Sequence, residues 1–330
     1  MKLGKKGGIA IFTLLGLILA TVVILHQNLG PAADPMEERA KKIVTCMIIA
    51  GACIGFAVLY DKVTGLAGEL FQSRHLIWKL AKNDFKKRYA GSYLGKVWAF
   101  VQPVVTVLMY WIVFDLIFKT KQQLVANGID VPYALYLTAG LVPWFFFSEG
   151  LSQGTSALIE YNYLVKKVVF NINILPVIKM TAASFTHIFF AFILVVLSCC
   201  YGYFPTFYML QIVYYSFCAF MLTLAINYAT SAIVVFFKDL QQIIMIVLQL
   251  GMWATPILWD LNMVPGKLAA VISANPLVYI VCGYRDAIYG RVWFFNKPWE
   301  TLYFWSFTLL MFIFGTSVFN KLKIHFADVM

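Results

Sequence analysis

The sequence predicts an all-α membrane protein with eight membrane-spanning helices. Of its 330 residues, 62% are hydrophobic and 12% are charged, whereas about a quarter of the residues in a soluble domain are charged. Eight apolar stretches follow one another, separated by charged or turn-forming residues. Each is long enough as a helix to cross most or all of a hydrocarbon core about 30 Å thick. These two observations exclude an ordinary soluble domain.

The first two spans are predicted at 8–26 and 43–60, joined by a polar loop. A cleaved signal peptide is an alternative for the first, because a basic N-terminus, an apolar core and a Pro-Ala-Ala sequence at 31–33 would permit cleavage. Cleavage would leave the topology downstream unchanged. We expect a retained span, and we treat 1–66 as an N-terminal extension.

A basic amphipathic helix is predicted at 70–90. Its apolar residues recur at helical spacing and share one face: Ile77, Trp78, Ala81, Phe85 and Tyr89. Its cations occupy most of the remainder: Arg74, Lys79, Lys82, Lys86, Lys87 and Arg88. Such a helix lies on a membrane surface with its cations near lipid phosphates. A solvated face on an ordinary core helix is the alternative, and the very apolar stretch that follows disfavours it.

The remaining spans come after this helix, and one further apolar segment is unusual. Six spans are predicted, at 94–118, 132–156, 174–203, 207–236, 240–260 and 300–320. The segment 266–290 is apolar but is broken by Asn275-Pro276, and each half is too short to cross. Proline frees backbone groups that need a non-lipid environment, so this segment predicts a re-entrant or interfacial helical pair.

The distribution of cations predicts the orientation. With the N-terminus in the cytoplasm, 17 Lys and Arg residues lie inside and 9 lie outside. The positive-inside rule therefore favours cytoplasmic N- and C-termini in a multi-pass protein of the cell (inner or cytoplasmic) membrane. The cluster at 39–42 is a contrary signal, although Asp34, Glu37 and Glu38 lie beside it.

No catalytic or metal-binding motif is present in the sequence. It has no Walker A motif, no HExxH, and no Asp-x-Asp motif or paired carboxylates suited to a metal-dependent glycosyltransferase outside the spans. Its six cysteines lack CxxC spacing, so we predict neither a metal site nor a disulfide framework. The basic charge of the chain does not indicate nucleic acid, because no soluble domain carries a binding face. We therefore expect no enzyme activity and no cofactor on this chain. We expect membrane lipids to surround its spans.

Few ionisable groups fall within the spans, and Asp115, Glu149 and His187 are too isolated for a proton relay. Glu149 is interpreted as a helix-packing partner or as a contact in the cytoplasmic part of a pathway. Aromatic residues either anchor the protein at the interface or stack on sugar faces along a polymer path. Candidates for the second role are Trp98, Phe100, Tyr110, Trp111 and Trp253.

The loop after the fourth predicted span contains a short amphipathic helix. Lys166 and Lys167 sit beside Leu164, Val165 and Val168, so one face is apolar and the other is cationic. The helix is either an interfacial turn or a knob that docks into a cytoplasmic partner. The local pattern does not decide between these two interpretations.

Four blocks in order resemble the permease subunit of ABC-2 type exporters, in the branch that exports O-antigen, teichoic acid and related polysaccharides. They lie at 76–114, 140–176, 236–259 and 275–290, and include the sequences KNDFKKRY, NYLVKKVVF, FFKDLQQI and NPLVYIVCGYRDAIYG. The resemblance covers about 70–325. It implies a domain at 67–330 with a six-span core, to which this chain adds two N-terminal spans.

The resemblance also implies roles for particular residues. A cytoplasmic gate helix at about 72–90 would include Trp78, Lys82, Phe85, Lys86, Arg88 and Tyr89. A helix that couples to the ATPase would comprise Asn162, Tyr163, Leu164, Val165, Lys166, Lys167, Val168 and Phe170. External re-entrant helices would carry Asn275, Pro276, Tyr284, Arg285 and Asp286.

Partners follow from the same resemblance. Family members work as two permease chains and two ATPase chains, with ATP and Mg²⁺ on the ATPase and a channel for a lipid-linked glycan between the permeases. Three alternatives stay open: a permease for a drug or another small hydrophobic substrate, a membrane-embedded glycosyl- or phosphotransferase, and a structural or regulatory membrane protein. The missing acidic pairs disfavour the enzyme.

Overall fold

The computed structural model describes residues 5–25, 68–118, 123–124, 130–165 and 171–329, together with 43, 46–47, 49–51, 53–55, 57 and 65. Within these residues the chain is helical, as the sequence predicts, apart from turns and one two-residue ladder. In that ladder β1 (Gln123–Leu124) pairs antiparallel with β2 (Asp130–Val131). The predicted coupling-helix residues Lys166, Lys167, Val168 and Phe170 lie outside the described part.

Ten helices carry the architecture of the part of the chain that the structure describes. They are α1 Lys5–Leu25, α2 Arg74–Arg88, α3 Trp98–Tyr110, α4 Tyr133–Thr155, α5 Leu175–Cys200, α6 Gln211–Phe236, α7 Leu240–Ala254, α8 Gly266–Ser273, α9 Pro276–Arg285 and α10 Pro298–Leu322. Two π-helical segments, Trp111–Ile117 and Asp286–Gly290, extend α3 and α9. Short helical turns lie at Ala157–Glu160, Asn162–Val165 and Phe326–Val329.

Five segments of the described residues are long and apolar enough to cross a membrane. They are Trp98–Ile117, Tyr133–Thr155, Ile172–Cys200, Phe207–Val234 and Pro298–His325. These match five of the six spans predicted after the basic helix. Helix α1 has an apolar centre at Ile9–Ile18, and the described residues of 43–57 are helical.

The span predicted at 240–260 is shorter than expected. Helix α7 has 15 residues, or about 22 Å at 1.5 Å per residue, which is less than the hydrocarbon thickness. It ends at Ala254 because Thr255 precedes Pro256 and adopts an extended backbone with φ −92° and ψ 137°. Residues 255–260 form a turn instead of a further helical turn.

Helix α4 lies at the centre of the fold and packs against α5 and α6. It is apolar nearly all round, so both of its faces are buried, as Leu135, Leu141 and Phe146 show. Helices α6 and α10 approach so closely at Gly315 that a Cβ there would lie 2.4 Å from the carbonyl oxygen of Ala225. A side chain at that position would force the two helices apart.

The N-terminal extension packs against the outer side of this core. A Cβ at Gly16 of α1 would lie 2.5 Å from Cys53 Sγ, and one at Gly55 would lie 3.8 Å from Ile313 of α10. The two additional helical segments therefore contact each other and α10. The domain boundary at 66/67 stays a prediction.

The helix ends define two ends of the bundle. The basic end holds α2, the turns after α4, the start of α5 and the end of α10, and there Lys323 donates to Asn173 Oδ1 over 3.2 Å. The opposite end holds β1, β2, α8 and α9, and there Tyr203 donates to the carbonyl of Asp130 over 3.0 Å. Helices α8 and α9 are the two short helices predicted at 266–290. Their re-entrant path stays a prediction.

Candidate functional site

Helix α2 is fixed by one face, and its cations other than Arg88 remain exposed on the other. Ile77, Ala81 and Phe85 are buried, as the helical spacing predicts. Phe185 of α5 contacts two rings of α2, with centroids 5.3 Å from Trp78 and 5.6 Å from Phe85, both edge-on. The helix ends where Gly91 takes a φ of +88°, a conformation that glycine adopts without strain.

An ion pair fixes α2 to the start of α5. Asp84 is buried on the packed face of α2, and its Oδ1 accepts a hydrogen bond from Lys179 Nζ over 2.8 Å. Only 4% of the Lys179 side chain and 9% of the Asp84 side chain are exposed. Two charges removed from water to this extent are stable only together, because removal of either partner leaves a buried charge unpaired.

The turns after α4 join this pair directly. Lys179 Nζ also donates to Glu160 Oε2, and the Tyr161 hydroxyl donates to Asp84 Oδ1 over 2.9 Å. Burial, and then the nearby Asp84 carboxylate, raises the pKa of Tyr161 above its ordinary value. The phenol therefore stays protonated and remains a donor. Residues 160 and 161 thus hold both members of the ion pair.

Arg88 continues the network towards the centre of the bundle. Its Nη1 donates to Glu149 Oε1 of α4 over 2.5 Å, and its Nη2 donates to Gln153. Asp84 Oδ2 lies 3.6 Å from Nη2, four residues back on the same helix. We call Asp84, Arg88, Glu149, Glu160 and Lys179 the ion network. It joins α2, α4, α5 and the turn that ends at Glu160.

A cavity of about 420 Å³ opens beside the network. Arg88, Tyr89 and Glu149 are among its polar lining residues, and Phe145 and Phe190, which also line it, stack on each other with centroids 5.6 Å apart. Helices α3, α4, α5 and α7 all contribute residues to it. The basic end therefore combines a cationic surface helix, a buried ion network and a polar cavity lined with aromatic rings.

The opposite end is organised around α9. The Asn275 side chain caps this helix by accepting from the Leu277 backbone N–H over 3.0 Å, and Pro276 occupies its first turn. Tyr284 is fully buried and its hydroxyl contacts Ser216 Oγ at 2.6 Å and His187 Nε2 at 3.0 Å. Tyr284 therefore ties α9 to α5 and α6.

Arg285 and Asp286 make separate contacts at the same end. The Arg285 guanidinium donates to the carbonyls of Pro256 and Ile257, each over 2.8 Å. Asp286 Oδ2 pairs with Lys297 Nζ at 2.6 Å, and both line a second cavity of about 670 Å³ with Trp299 and Tyr303. Its polar side chains are largely used within the fold, since the Tyr303 hydroxyl donates to the carbonyl of Ala274.

The comparison with known protein families agrees with this arrangement. The family model for the membrane domain of ABC-2 type transporters matches residues 75–289, which is more than half of the chain. The chain belongs to the ABC-2 type transporter family. The matched region begins within α2 and ends in the π-helical segment after α9, so it contains the whole ion network and the residues of α9 described above.

The curated relatives of this ABC-2 family member match about four fifths of the chain, and the match covers almost the whole length of each relative. It is 29% identical over 265 residues to an O-antigen export system permease protein RfbA from Myxococcus xanthus, covering 80% of this chain and 98% of the relative. It is 25% identical over 257 residues to a protein of the same name from Klebsiella pneumoniae, covering 77% and 95%.

The candidate gate residues lie where the resemblance implies a surface helix. Lys86 is exposed, as is half of Trp78, and Lys82 Nζ lies 5.2 Å from the centroid of the Trp78 ring. Arg88 and Tyr89 instead face the cavity. Their transport role stays a prediction.

The candidate coupling residues are described only in part. Asn162–Val165 form a short helical turn in which Tyr163 is 52% exposed and Leu164 packs partly against the core. This turn follows directly from the residues that hold the ion network. An exposed aromatic on a fixed turn is suited to contact with a partner.

The candidate channel aromatics do not come together in the described cavities. Three of them are exposed at separate places. The exposed fractions are 47% for Trp98, 38% for Trp111 and 65% for Trp253. Phe100 packs edge-on against Phe189, and Tyr110 packs near Phe114. The rings that line the cavity at the basic end are instead Tyr89, Phe145, Phe146 and Phe190. A lining role for the five candidates stays a prediction.

Sequence reasoning missed Lys179, although a signal was available. It is a lone lysine inside an apolar span, and such residues usually have a partner. Of the groups considered, Glu149 is a helix-packing partner that also lines the cavity. Asp115 accepts from Tyr201, and His187 stacks on Phe146 with centroids 4.1 Å apart.

Proposed function

We propose that this chain is the membrane-spanning permease of an ABC exporter that moves a lipid-linked polysaccharide from the cytoplasm to the cell surface. The carrying observation is the match along almost the whole length of proteins named as O-antigen export permeases. A glycan of the O-antigen, teichoic acid or capsule type fits this proposal.

The basic end supports a cytoplasmic entry site for such a substrate. Exposed cations on α2 suit the phosphates of a lipid surface, and the adjoining cavity combines aromatic rings with amide, hydroxyl and charged groups. Sugars bind to such surfaces because their C–H faces pack on rings while their hydroxyls need polar partners. In this proposal α2 is the gate helix and the N- and C-termini are cytoplasmic.

Energy comes from a separate ATPase chain that binds ATP and Mg²⁺. The turn at Asn162–Val165 and the residues after it form the docking site of that ATPase on the permease. Two permease chains pair in the cytoplasmic membrane, with the polymer path between them. The exposed aromatic and aliphatic residues of α3 and α7, such as Trp111, Leu250 and Trp253, are available for that pairing.

The test is deletion of the gene followed by analysis of glycans at the surface and inside the cell. Loss of a surface polysaccharide, with its lipid-linked form accumulating inside, is the expected result, and complementation with the intact gene should reverse it. Unchanged surface glycans, together with greater sensitivity to small hydrophobic compounds, would contradict the proposal and indicate a permease for such compounds.

A further inference from the structure

The ion network connects the turns that precede the predicted ATPase contact with the wall of the cavity. Glu160 and Tyr161 hold Lys179 and Asp84, Asp84 lies on the same helix as Arg88, and Arg88 reaches Glu149. The contacts pass through four parts of the fold: α2, α4, α5 and the turn that ends at Glu160. Residues 84 and 179 alone are 95 positions apart.

We propose that the ion network transmits movement of the 157–165 segment to the gate helix, with Arg88 exchanging between Glu149 and Asp84. The inference rests on the proposed function, because it assigns positioning residues for coupled transport. It concerns the link between two sites and not the sites themselves.

Burial makes the link stiff. Lys179 is almost entirely enclosed, so water cannot replace Asp84 or Glu160 as its partner if one of them moves away. Tyr161 adds a hydrogen bond to the same Asp84 oxygen that Lys179 holds. A shift of the turn therefore pulls on Asp84 through two contacts, and with it on α2.

Asp84 has a second oxygen that is available for exchange. Its Oδ2 is buried and has no hydrogen-bond partner among the described residues, and Arg88 Nη2 lies 3.6 Å from it. A buried carboxylate oxygen without a donor is unfavourable. Arg88 now donates to Glu149 and Gln153 instead. A small shift of α2 against α4 would let its guanidinium turn to Asp84.

Exchange of Arg88 would change the cavity directly. Arg88, Glu149 and Gln153 all line it, so a guanidinium turned to Asp84 leaves the Glu149 carboxylate facing the cavity without its cation. Buried polar groups of this kind have discrete arrangements and not a continuum of intermediate ones, which suits a two-state element. The cavity wall would therefore differ in charge between the two states.

The first experiment measures the link without transport. The complete permease and its ATPase are reconstituted in lipid nanodiscs, and amide hydrogen exchange of residues 74–89 is compared with and without ATP. We expect ATP to change exchange in the wild-type gate helix. Glu160→Gln should weaken this change, because the neutral amide loses the ion pair with Lys179 while Tyr161 still donates to Asp84. Glu160 is half exposed, so its loss leaves the buried pair intact. An unchanged response in Glu160→Gln would overturn the proposal.

The second experiment separates transmission from packing. The double variant Asp84→Leu/Lys179→Met replaces the buried pair with apolar side chains, which proteins often tolerate without loss of stability. It should insert, bind the ATPase and hydrolyse ATP, yet export at least about five-fold less glycan per ATP, the lower range of coupling between sites. Wild-type export per ATP in this variant would show that the pair only supports packing.

Asp239→Asn is the matched control, because it removes an exposed carboxylate at the same end of the bundle. It should keep both the exchange response and the export ratio, and a loss equal to that of Glu160→Gln would count against the network. Failure of the proposed function gives a different result. In that case the wild-type complex hydrolyses ATP without exporting glycan, whether or not the hydrogen exchange of residues 74–89 responds to ATP.

Discussion

The guanidinium carbon of Arg285 lies 3.6 Å from the centroid of the Tyr136 ring. The Arg285 side chain is buried and donates to two carbonyls of the turn after α7. One residue of α9 therefore fixes both the central helix α4 and the turn that replaces the last part of a predicted span. Stacking and a two-pronged donor set are properties of arginine that lysine lacks.

Arg285→Lys should lower the free energy of unfolding by about 2–4 kcal/mol, because the ammonium cannot stack or reach both carbonyls and remains a poorly paired buried charge. The measurement is thermal unfolding of the purified protein in detergent. Arg291→Lys, at an exposed position, is the control and should leave the midpoint unchanged. Equal midpoints for both variants would contradict the assigned role.

Two variants of Asn275 test how the start of α9 is held. Asn275→Ala removes the cap on Leu277 and should cost about 1 kcal/mol, seen as faster hydrogen exchange at the first turn. Asn275→Asp keeps the acceptor for Leu277 but loses the donor to Thr255 Oγ1, now at 3.1 Å. It should protect the first turn, and the Thr255 hydroxyl can donate to the second oxygen of the new carboxylate. Equal exchange at the first turn in the two variants would contradict the capping role.

Gly315→Ala should destabilise the contact between α6 and α10. The new methyl group would meet a backbone carbonyl, which cannot rotate away as a side chain can. Overpacking of this kind costs about 1–3 kcal/mol, and thermal unfolding in detergent measures it. Gly266→Ala is the control, since a Cβ there has nothing within 4 Å. A Gly315→Ala protein as stable as this control would contradict the close approach.

Tyr163→Ala should weaken binding of the ATPase without affecting the fold. Its side chain is exposed on the turn beside the ion network, and a central aromatic contact is worth about 2 kcal/mol or more, roughly 30-fold in affinity. Co-purification from detergent extracts, followed by titration, measures the loss. Tyr93→Ala removes a fully exposed tyrosine near the gate helix and should bind normally. Normal binding by Tyr163→Ala would place the docking site elsewhere.

The helices followed from apolar length and punctuation because those signals are local. The basic helix was predicted at 70–90 and is found at Arg74–Arg88, and the pair of short helices was predicted from Asn275-Pro276. The length of α7 was overestimated, since apolar residues continue to 260 while the backbone turns at Thr255. Hydropathy reports the composition of a segment and not its backbone conformation.

The site was less predictable than the helices. In the sequence Asp84 is a single acid among cations and Glu149 is an isolated group, because their partners lie 95 and 61 positions away. The aromatic residues proposed for a channel are prominent in the sequence, yet the rings that line the cavity come from three separate segments. The spacing of residues along the chain does not show which side chains meet in the folded protein.

The sequence by itself determined a multi-pass helical membrane protein with a basic surface helix, because burial in lipid demands long apolar helices and sets where cations can lie. Only the tertiary structure decided that Lys179 pairs with Asp84, that Arg88 faces Glu149 and that Arg285 stacks on Tyr136. Each contact joins helices whose mutual position depends on the packing of the whole bundle. The partner of a buried charge is therefore set by the packing of the helices, and it cannot be read from the order of residues in the chain.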